Sequence, residues 1–268
     1  MTEETQKNSA VIEAEEKKEE KDQSKYELTL ENLLKAGVHF GHKKSRWNPK
    51  MEKYIFGARG GVHIINLEKT LEMFKVALAF ISETVKKGEN VMLVGTKKQV
   101  KDLVKAIGQK AEIPYVNERW IGGTFTNFNI ISKRTGYYLE NKENIEKGRL
   151  AHLTKFEKMK LGKELEKIEE KMGGLIGMKN LPAAIFVMDI CKDELAVKEA
   201  KKAGIKVIGL VDTNVNPDLI DFPIPANDDA FSSLNYILGV FLKEVLAAKK
   251  AKTATNKQPI GTHDQSKE

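Results

Sequence analysis

The segment VMLVG (Val91–Gly95) is an uninterrupted run of apolar residues that ends at a glycine. Short apolar runs of this kind are typical of strands that are buried on both faces of a parallel sheet. Two later segments have the same character, AAIFVMD (183–189) and IKVIGLVD (205–212). A fourth segment, DFPIPAN (221–227), contains two prolines, which restrict it to the edge of a sheet. Together these segments predict the strands of one sheet.

Segments with helical spacing separate these strands. Between Asn66 and Gly88, which are suited to the cap and the stop of a helix, apolar residues recur every three or four positions. After VMLVG, Thr96 and Gln99 predict a capping box that opens a helix over 97–111. Further helices are predicted over 29–37, 192–204 and 227–250. This alternation predicts an α/β fold with a doubly wound, mainly parallel sheet.

One region, residues 127–173, has no strand-like run. Two narrow apolar stripes follow each other there, one with a spacing of seven and one with spacings of four, three and four: Ile131, Tyr138 and Ile145, then Leu161, Leu165, Ile168 and Met172. Such stripes predict an antiparallel coiled-coil helical hairpin, inserted into the sheet domain as an arm, with the reversal near Gly148. A single long helix is the alternative, which Gly148 and the change of phase disfavour.

The two ends of the chain have too few large apolar residues to bury. Residues 1–25 predict a disordered acidic leader, and residues 249–268 predict a disordered tail. The α/β sheet domain is therefore expected to comprise residues 26–126 and 174–248.

Charge and cysteine content narrow the function classes. The 268-residue chain carries +7; its leader holds eight acids and five lysines, so the rest of the chain carries +10. Such a basic body attracts polyanions, although lysine-rich surfaces also serve solubility. The single cysteine, Cys191, excludes an internal disulfide and fits the reducing cytoplasm. We expect no signal peptide and no membrane span, because no apolar run approaches the roughly 20 residues that a bilayer requires.

Positive charge is concentrated in HFGHKKSRWNPKMEKYIFGARGG (39–61), a loop-like segment with a single acid, Glu52. Its cations are Lys43, Lys44, Arg46, Lys50, Lys53 and Arg59, and its aromatic residues are Phe40, Trp47, Tyr54 and Phe56. Cations neutralise phosphates, and aromatic rings can stack on unpaired bases. The alternative is that the rings only pack the loop onto the sheet. Both can hold, with the rings inward and the cations outward, and we favour a nucleic-acid contact.

Two further places predict contacts with nucleic acid. The segment NERWIGGTFTNFN (117–129) combines Arg119 and Trp120 with a glycine pair and several Thr and Asn groups that suit phosphate and ribose. A structured turn in which Trp120 anchors the arm explains its rings equally well. After VMLVG, Lys97 and Lys98 stand where a helix start favours anions.

Tests for catalytic motifs are negative. In GVHFGHKKS (37–45) the second glycine of a phosphate-binding loop is replaced by His42, and no dinucleotide or hydrolase motif occurs. The sequence predicts no catalytic residue and no cofactor.

Tests for metal and thiol chemistry also favour structural roles. His39, His42 and His63 lack a C-x-x-C partner, so hydrogen-bonded loop histidines are favoured over a metal site. Asp189 and Asp212 end strands, where magnesium or a phosphoryl group could bind, but loop caps are favoured. Cys191 beside Lys192 could have a lowered pKa, but a small packed side chain is favoured.

Three long motifs make the chain recognisable: residues 39–70, ERWIGGTFTNFN (118–129) and VDTNVNPDLIDFPIPANDDA (211–230). In this order and spacing they closely resemble the bacterial-type family of the second protein of the small ribosomal subunit, over roughly Leu30 to Ala247. The resemblance implies an α/β sheet domain with a protruding coiled-coil arm and a structural, non-catalytic protein of the cytoplasmic ribosome. It implies binding to small-subunit rRNA near the junction of head and body, on the solvent side. It also implies contacts with other small-subunit proteins, including the large first protein that captures messenger RNA, and with neither membrane nor DNA.

The chain departs from this family in two places. Phe231, Ser232 and Ser233 stand where the family commonly has an arginine, and Phe156 stands where the arm often has a lysine. Contacts made by those cations are therefore not expected here.

Two other function classes remain as alternatives. One is a small-ligand or phosphotransfer enzyme that uses the sheet edge near Gly95, Asp189 and Asp212. The other is a free-standing scaffold whose arm binds protein alone.

Overall fold

The computed structural model describes residues 26–150 and 154–255. The predicted acidic leader, residues 1–25, and the last part of the predicted tail, residues 256–268, lie outside these described residues.

The described chain contains eight strands and seven helices, with short 3₁₀ turns between some of them. The strands are β1 (Phe40–Lys43), β2 (Ile55–Arg59), β3 (Val62–Ile65), β4 (Val91–Val94), β5 (Tyr115–Val116), β6 (Ala184–Val187), β7 (Lys206–Val211) and β8 (Phe222–Pro225). The helices are α1 (Leu30–Lys35), α2 (Leu67–Lys87), α3 (Lys101–Ala111), α4 (Phe128–Glu146), α5 (Lys155–Met172), α6 (Glu194–Lys202) and α7 (Phe231–Thr255).

Five strands form one parallel sheet in the order β5-β4-β6-β7-β8. Along the chain, β5 is added on one side of β4, and β6, β7 and β8 are added on its other side. The sheet is therefore doubly wound, as the alternation of strands and helices predicts. The segments VMLVG, AAIFVMD and IKVIGLVD supply β4, β6 and β7, and the proline-limited segment supplies the edge strand β8. The strand β5 was not predicted, because its two residues are too short to produce a periodic signal.

Both faces of the parallel sheet are covered. Alternate residues of the central strands, such as Leu93 and Phe186, pack on one side with α2, α3 and α7. Their neighbours, such as Met92 and Ile185, pack on the other side with α6 and the inner ends of α4 and α5. Because every residue of β4 and β6 is buried, Phe186→Ala should cost about 3–5 kcal/mol of stability.

The capping of α2 agrees with its prediction, whereas that of α3 does not. The Asn66 side chain accepts hydrogen bonds from the backbone N–H groups of Glu68 and Lys69. The predicted capping box at Thr96 is wrong, since α3 begins only at Lys101 and without a side-chain cap. The Thr96 hydroxyl instead donates to Asp193 Oδ1 at 2.8 Å, so a tertiary partner takes the group that was expected to cap the helix.

The basic segment 39–61 is not a loop. Its ends form two strands of a small antiparallel sheet, whose order is β1-β3-β2. Gly60 and Gly61, with φ values of 59° and 80°, make the turn between β2 and β3. Positive φ at both central residues suits the tight hairpin turn that joins two twisted strands. The Gly-Gly pair between apolar segments was therefore the signal that could have predicted this hairpin.

The arm contains two helices, α4 and α5, and not the single long helix of the alternative; α4 ends at Glu146, close to Gly148. Arg134 lies 2.9 Å from Glu164, and Lys142 lies 4.0 Å from Glu169. Tyr138, Leu165 and Ile168 of the predicted stripes are buried, but Ile145 is 48% exposed. The described helices therefore lack a continuous buried seam, and the predicted antiparallel coiled coil is not confirmed.

The last helix, α7, runs to Thr255, so residues 249–255 are helical and the predicted start of the disordered tail at Lys249 is too early. By length and composition alone, α7 is apolar enough to cross a membrane, and half of that apolar stretch is buried inside the protein. Its residues Leu234, Ile237 and Phe241 are fully buried in the core. Packing against the sheet therefore accounts for the apolar character of this helix.

Candidate nucleic-acid interface

The small sheet is fastened to the end of the parallel sheet by backbone groups. His42 N–H donates to Thr213 Oγ1 at 2.8 Å, and Asn48 N–H donates to Thr213 O at 2.7 Å. A side chain at Gly41 would place its Cβ only 2.5 Å from Thr213 Cγ2. Gly41 is thus required for this close approach, and the fastening fixes the basic segment relative to the core.

All six cations of the basic segment are exposed: Lys43, Lys44, Arg46, Lys50, Lys53 and Arg59. Lys43 of β1 and Arg59 of β2 both pair with Val62 of β3, one from each side. Residues that pair across an antiparallel ladder point to the same face. The sheet therefore carries Lys43 and Arg59 on one face, one on each side of Val62, where one polyanionic backbone can contact both.

The aromatic residues of the segment divide between packing and exposure. Tyr54 is buried, and Lys53 Nζ lies 4.9 Å from the centre of its ring. Trp47 is 37% exposed, with its ring centroid 5.2 Å from that of His63. Phe56 is 79% exposed. Tyr54 thus anchors the segment, while Trp47 and Phe56 present ring surface to a partner.

Lys50 forms an ion pair with an acidic neighbour. Its Nζ lies 2.6 Å from Asp218 Oδ2, and both side chains are more than half exposed. The Lys50 ammonium lowers the pKa of the Asp218 carboxyl below its usual value, chiefly through this hydrogen bond. A phosphate that binds Lys50 must therefore compete with Asp218.

The second predicted contact, residues 117–129, is a turn that Glu199 of α6 organises. The buried Glu199 carboxylate accepts from Gly123 N–H at 2.7 Å and from Phe125 N–H at 3.1 Å. Trp120 is only 6% exposed and packs edge-on against Phe125 at 4.9 Å. Trp120 therefore packs inside the turn and stabilises it, whereas the neighbouring cation, Arg119, is exposed.

Lys97 and Lys98 have opposite environments. Lys98 is exposed. The Lys97 side chain is 15% exposed, and its Nζ lies 3.2 Å from Asp189, 3.0 Å from Asp228 and 2.7 Å from Asp229. The structure thus places Lys97 among carboxylates at the ends of the parallel strands and not on a surface that phosphates can reach.

We call the group around Lys97 the acidic cluster; its members are Asp189, Asp193, Asp212, Asp228, Asp229, Lys97 and His42. Burial raises the pKa of Asp228 from 3.8 to about 7, with further contributions from the charges of Asp212 and Asp189. Burial likewise raises the pKa of Asp193 to about 6, against hydrogen bonds from Thr96. More carboxylates than cations share this space, so some are protonated near neutral pH.

Lys97 and His42 respond to these carboxylates in the same direction. For Lys97, burial alone would lower the pKa, but hydrogen bonds and charge from Asp229 and Asp228 raise it above its usual range. For His42, the hydrogen bond to Asp212 is the largest influence and raises the pKa above 6.5. The carboxylates of the cluster therefore favour the protonated form of both side chains.

Asp189 and Asp212 are loop caps, the role that the sequence favoured for them. Asp189 Oδ1 accepts from Lys192 N–H at 2.9 Å, and Asp212 Oδ1 accepts from Thr213 Oγ1 at 3.1 Å. His42, Asp212 and Asp228 do bring possible metal-ligand atoms within 4.8 Å of one another. Within the described residues, however, these acids already have side-chain partners, since His42 Nδ1 lies 3.1 Å from Asp212 and Lys97 lies 3.0 Å from Asp228.

Cys191 lies next to this cluster and differs from its prediction. It is exposed and not a packed side chain. Partial desolvation, followed by the charge of Asp189, raises the pKa of its thiol, so Lys192 does not activate it. The thiol form therefore prevails at neutral pH.

The place where an enzyme of this architecture would bind a ligand is filled by the protein itself. Ligands of doubly wound sheets bind beyond the strand ends at the point where strand order reverses, here between β4 and β6. Lys97, which follows β4, forms an ion pair across this point with Asp189, which follows β6. Lys192 Nζ also donates to Thr96 O at 2.8 Å. A substrate pocket near Gly95 is therefore not supported.

Comparison with known proteins agrees with the motifs. A family model described as ribosomal protein S2 matches residues 33–248. Three similar curated proteins are each named small ribosomal subunit protein uS2. The one from Nitratiruptor sp. is 46% identical over 222 residues, which are 82% of this chain and 81% of the relative. The one from Coprothermobacter proteolyticus is 42% identical over 225 residues, 84% of each chain. The one from Syntrophobacter fumaroxidans is 44% identical over 210 residues, 78% of this chain and 77% of the relative. The chain therefore belongs to the ribosomal protein S2 family, whose members are structural components of the translation machinery and not enzymes.

Proposed function

We propose that this protein is a cytoplasmic, structural component of the small ribosomal subunit that binds rRNA through the cationic surface of its small sheet. The observation that carries the proposal is the exposure of all six cations from Lys43 to Arg59 in a segment that is fastened to the core. A fixed array of cations loses little conformational entropy when it meets a fixed array of phosphates.

Within this surface the residues divide into three roles. Lys43, Lys44, Arg46, Lys53 and Arg59 contact phosphates directly, and Lys50 does so in competition with Asp218. Trp47 stacks on a base or packs on a ribose, since part of its ring is exposed. Lys98 and Arg119 extend the surface, whereas Trp120 braces it from inside and Lys97 takes no part.

A triple substitution tests this surface. Lys43→Ala/Lys44→Ala/Arg46→Ala should reduce occupancy of small subunits, measured by sedimentation of cell lysate through sucrose. It should also reduce the slope of the logarithm of RNA affinity against the logarithm of salt concentration by about two to three in magnitude. Each lost phosphate contact lowers the magnitude of that slope by roughly 0.7–0.9. The matched control is Lys105→Ala/Lys201→Ala/Lys202→Ala, which removes equal charge from exposed positions on α3 and α6. Equal subunit occupancy for both variants would refute the assignment of these cations.

The arm supplies a second surface, for neighbouring ribosomal proteins including the large first protein that captures messenger RNA. Its exposed apolar residues support this proposal: Ile130, Leu139, Ile145, Phe156 and Met159. Exposed apolar clusters mark protein contacts more often than RNA contacts. Phe156→Ser/Met159→Ser should lower the amount of the first protein in purified subunits, measured by quantitative mass spectrometry, without lowering the amount of this chain.

A further inference from the structure

An open apolar groove of about 400 Å³ lies between α1 and the small sheet. Leu30 and Leu34 of α1 line one side, and Phe56 and Ile64 of the small sheet line the other. Leu30, Leu34 and Phe56 are all exposed large hydrophobic residues. A partner that covers the groove would remove this apolar surface from water.

One residue that lines the groove, Ile64, lies on the same face of the small sheet as two of its cations. Ile64 and Val62 are alternate residues of β3, so their side chains point to one face. Val62 pairs with both Lys43 and Arg59, which share that face. The Ile64 side of the groove is therefore next to a cationic patch. Two acids also line the groove, Glu31 of α1 and Glu68 just beyond β3.

The leader of this chain contains one segment with the matching order of properties. Its only two large aliphatic residues are adjacent, Val11 and Ile12. Acids follow them directly, at Glu13, Glu15 and Glu16, and Lys7 precedes them. The leader thus has a cation, an apolar pair and three acids in this order along the sequence. The cation would contact Glu68, the apolar pair the groove, and the three acids Lys43 and Arg59.

The leader also joins the described structure close to the groove. Tyr26 packs against the core near Tyr236, and the next residues lead into α1, whose first residue, Leu30, lines the groove. The residues between Glu16 and Tyr26 can span up to about 35 Å when extended, which is comparable to the width of a domain of this size.

We propose that residues 7–16 of the leader dock intramolecularly in this groove, with Val11 and Ile12 on the apolar residues and the three acids on Lys43 and Arg59. In this position the leader covers part of the surface that we assign to rRNA, so the proposal rests on the proposed function for its consequence. The leader then competes with weak, non-specific RNA and yields to the larger contact that the ribosome offers.

Photocrosslinking of the full chain tests the docking itself. With the photoreactive residue p-benzoylphenylalanine in place of Ala10, irradiation should produce an intramolecular crosslink to residues 30–34 or 56–67, identified by mass spectrometry after proteolysis. Val11→Ser/Ile12→Ser should abolish it, and Phe56→Ser should weaken it. Absence of the crosslink, crosslinks to other parts of the chain, or a covalent dimer between two copies would each overturn the proposal.

RNA affinity tests the competition. A leader that covers the surface for half to nine-tenths of the time reduces apparent affinity about twofold to tenfold. Glu13→Gln/Glu15→Gln/Glu16→Gln in the full chain should therefore raise affinity for a fluorescent oligouridylate about twofold to tenfold. The matched control, Glu19→Gln/Glu20→Gln/Asp22→Asn, removes equal charge outside the docking segment and should have a smaller effect. Equal effects of the two variants would overturn the specific docking.

The two measurements separate the two proposals. If the crosslink forms but no variant binds oligouridylate, the docking stands and the assigned RNA surface fails. If the chain binds RNA but the crosslink is absent, the RNA surface stands and the docking fails.

Discussion

The small sheet and the acidic cluster lie next to each other but differ in the exposure of their charged side chains. In the basic segment that supplies two strands of the small sheet, six cations are exposed, and Lys50 has Asp218 as an exposed partner. In the acidic cluster, Asp189, Asp212 and Asp228 are almost completely buried around Lys97. His42 belongs to both regions, since it lies on β1 and bonds to Asp212.

This difference shows that a lysine can serve two functions: it stabilises the fold where it is buried, and it can bind a partner where it is exposed. A buried cation that is shared by several carboxylates stabilises the fold, and its removal leaves unpaired buried charge. An exposed cation contributes little to stability but remains available to a polyanion. Lys97 and Lys98, which are adjacent in sequence, illustrate the two cases.

The largest effect that we expect distinguishes these two lysines. Lys97→Met should lower the free energy of unfolding by about 3–5 kcal/mol, because Asp189 and Asp228 lose their buried cation. Lys98→Met, its matched control, should change stability by less than about 0.5 kcal/mol. Urea denaturation at neutral pH measures both. Equal stability of the two variants would show that the acidic cluster does not depend on Lys97.

A second effect concerns pH. Asp228 and Asp193 have pKa values raised to about 7 and about 6 in the folded protein, so the folded state binds more protons than the unfolded state above pH 3.8. Their stabilisation is complete below pH 3.8 and is lost as pH rises through these values. Unfolding free energy should therefore fall between pH 4 and pH 7, by about 1 kcal/mol per pH unit for each group.

Asp228→Asn should flatten this pH dependence, because it removes one of the titrating groups. The control is Asp102→Asn, which changes an exposed acid in the first turn of α3. Urea denaturation at several pH values measures the slope. An unchanged slope in Asp228→Asn would contradict the assignment of the titration to this residue.

A third effect connects the two regions through His42. The pKa of His42 is raised, so the stabilisation by its protonated form is complete below pH 6.5 and is lost as pH rises through the folded value. His42→Gln should cost about 1–3 kcal/mol at pH 6, because a charge-assisted hydrogen bond to Asp212 is lost. The cost should be smaller at pH 9. A cost that does not depend on pH would mean that His42 acts only through packing.

The smallest effect concerns the exposed pair of the small sheet. Asp218→Asn should leave the free energy of unfolding almost unchanged, because exposed ion pairs contribute little. It should nevertheless raise RNA affinity modestly, since Lys50 no longer has a competing carboxylate. The test is a salt titration of RNA binding with Lys50→Ala/Asp218→Asn as control, in which the gain should disappear.

The parallel sheet could be predicted from sequence because its strands are buried on both faces. VMLVG and AAIFVMD are apolar at every position, and such runs stand out in a chain that is otherwise rich in charge. The cap of α2 was predictable because the Asn66 side chain bonds to its neighbours in sequence, Glu68 and Lys69. Thr96 was mispredicted because its partner, Asp193, is 97 positions away and cannot be identified from local sequence.

The candidate site was only partly predictable for a related reason. The cations between Lys43 and Arg59 form a dense local cluster, and a local cluster is visible in sequence. Whether a lysine such as Lys97 faces water or buried acids depends on residues that follow three different strands, β4, β6 and β8, which only the fold brings together. The same holds for Trp120, whose burial depends on the turn that Glu199 organises.

The bond between His42 and Thr213 has a consequence for the order of events during synthesis. These two residues are 171 positions apart, so the strand that carries Lys43 leaves the translating ribosome long before its anchor exists. At about 5–20 residues per second, roughly 10–35 s pass between the two. For that time the nascent cationic segment has no fixed geometry, and it acquires one only when β7 has joined the sheet.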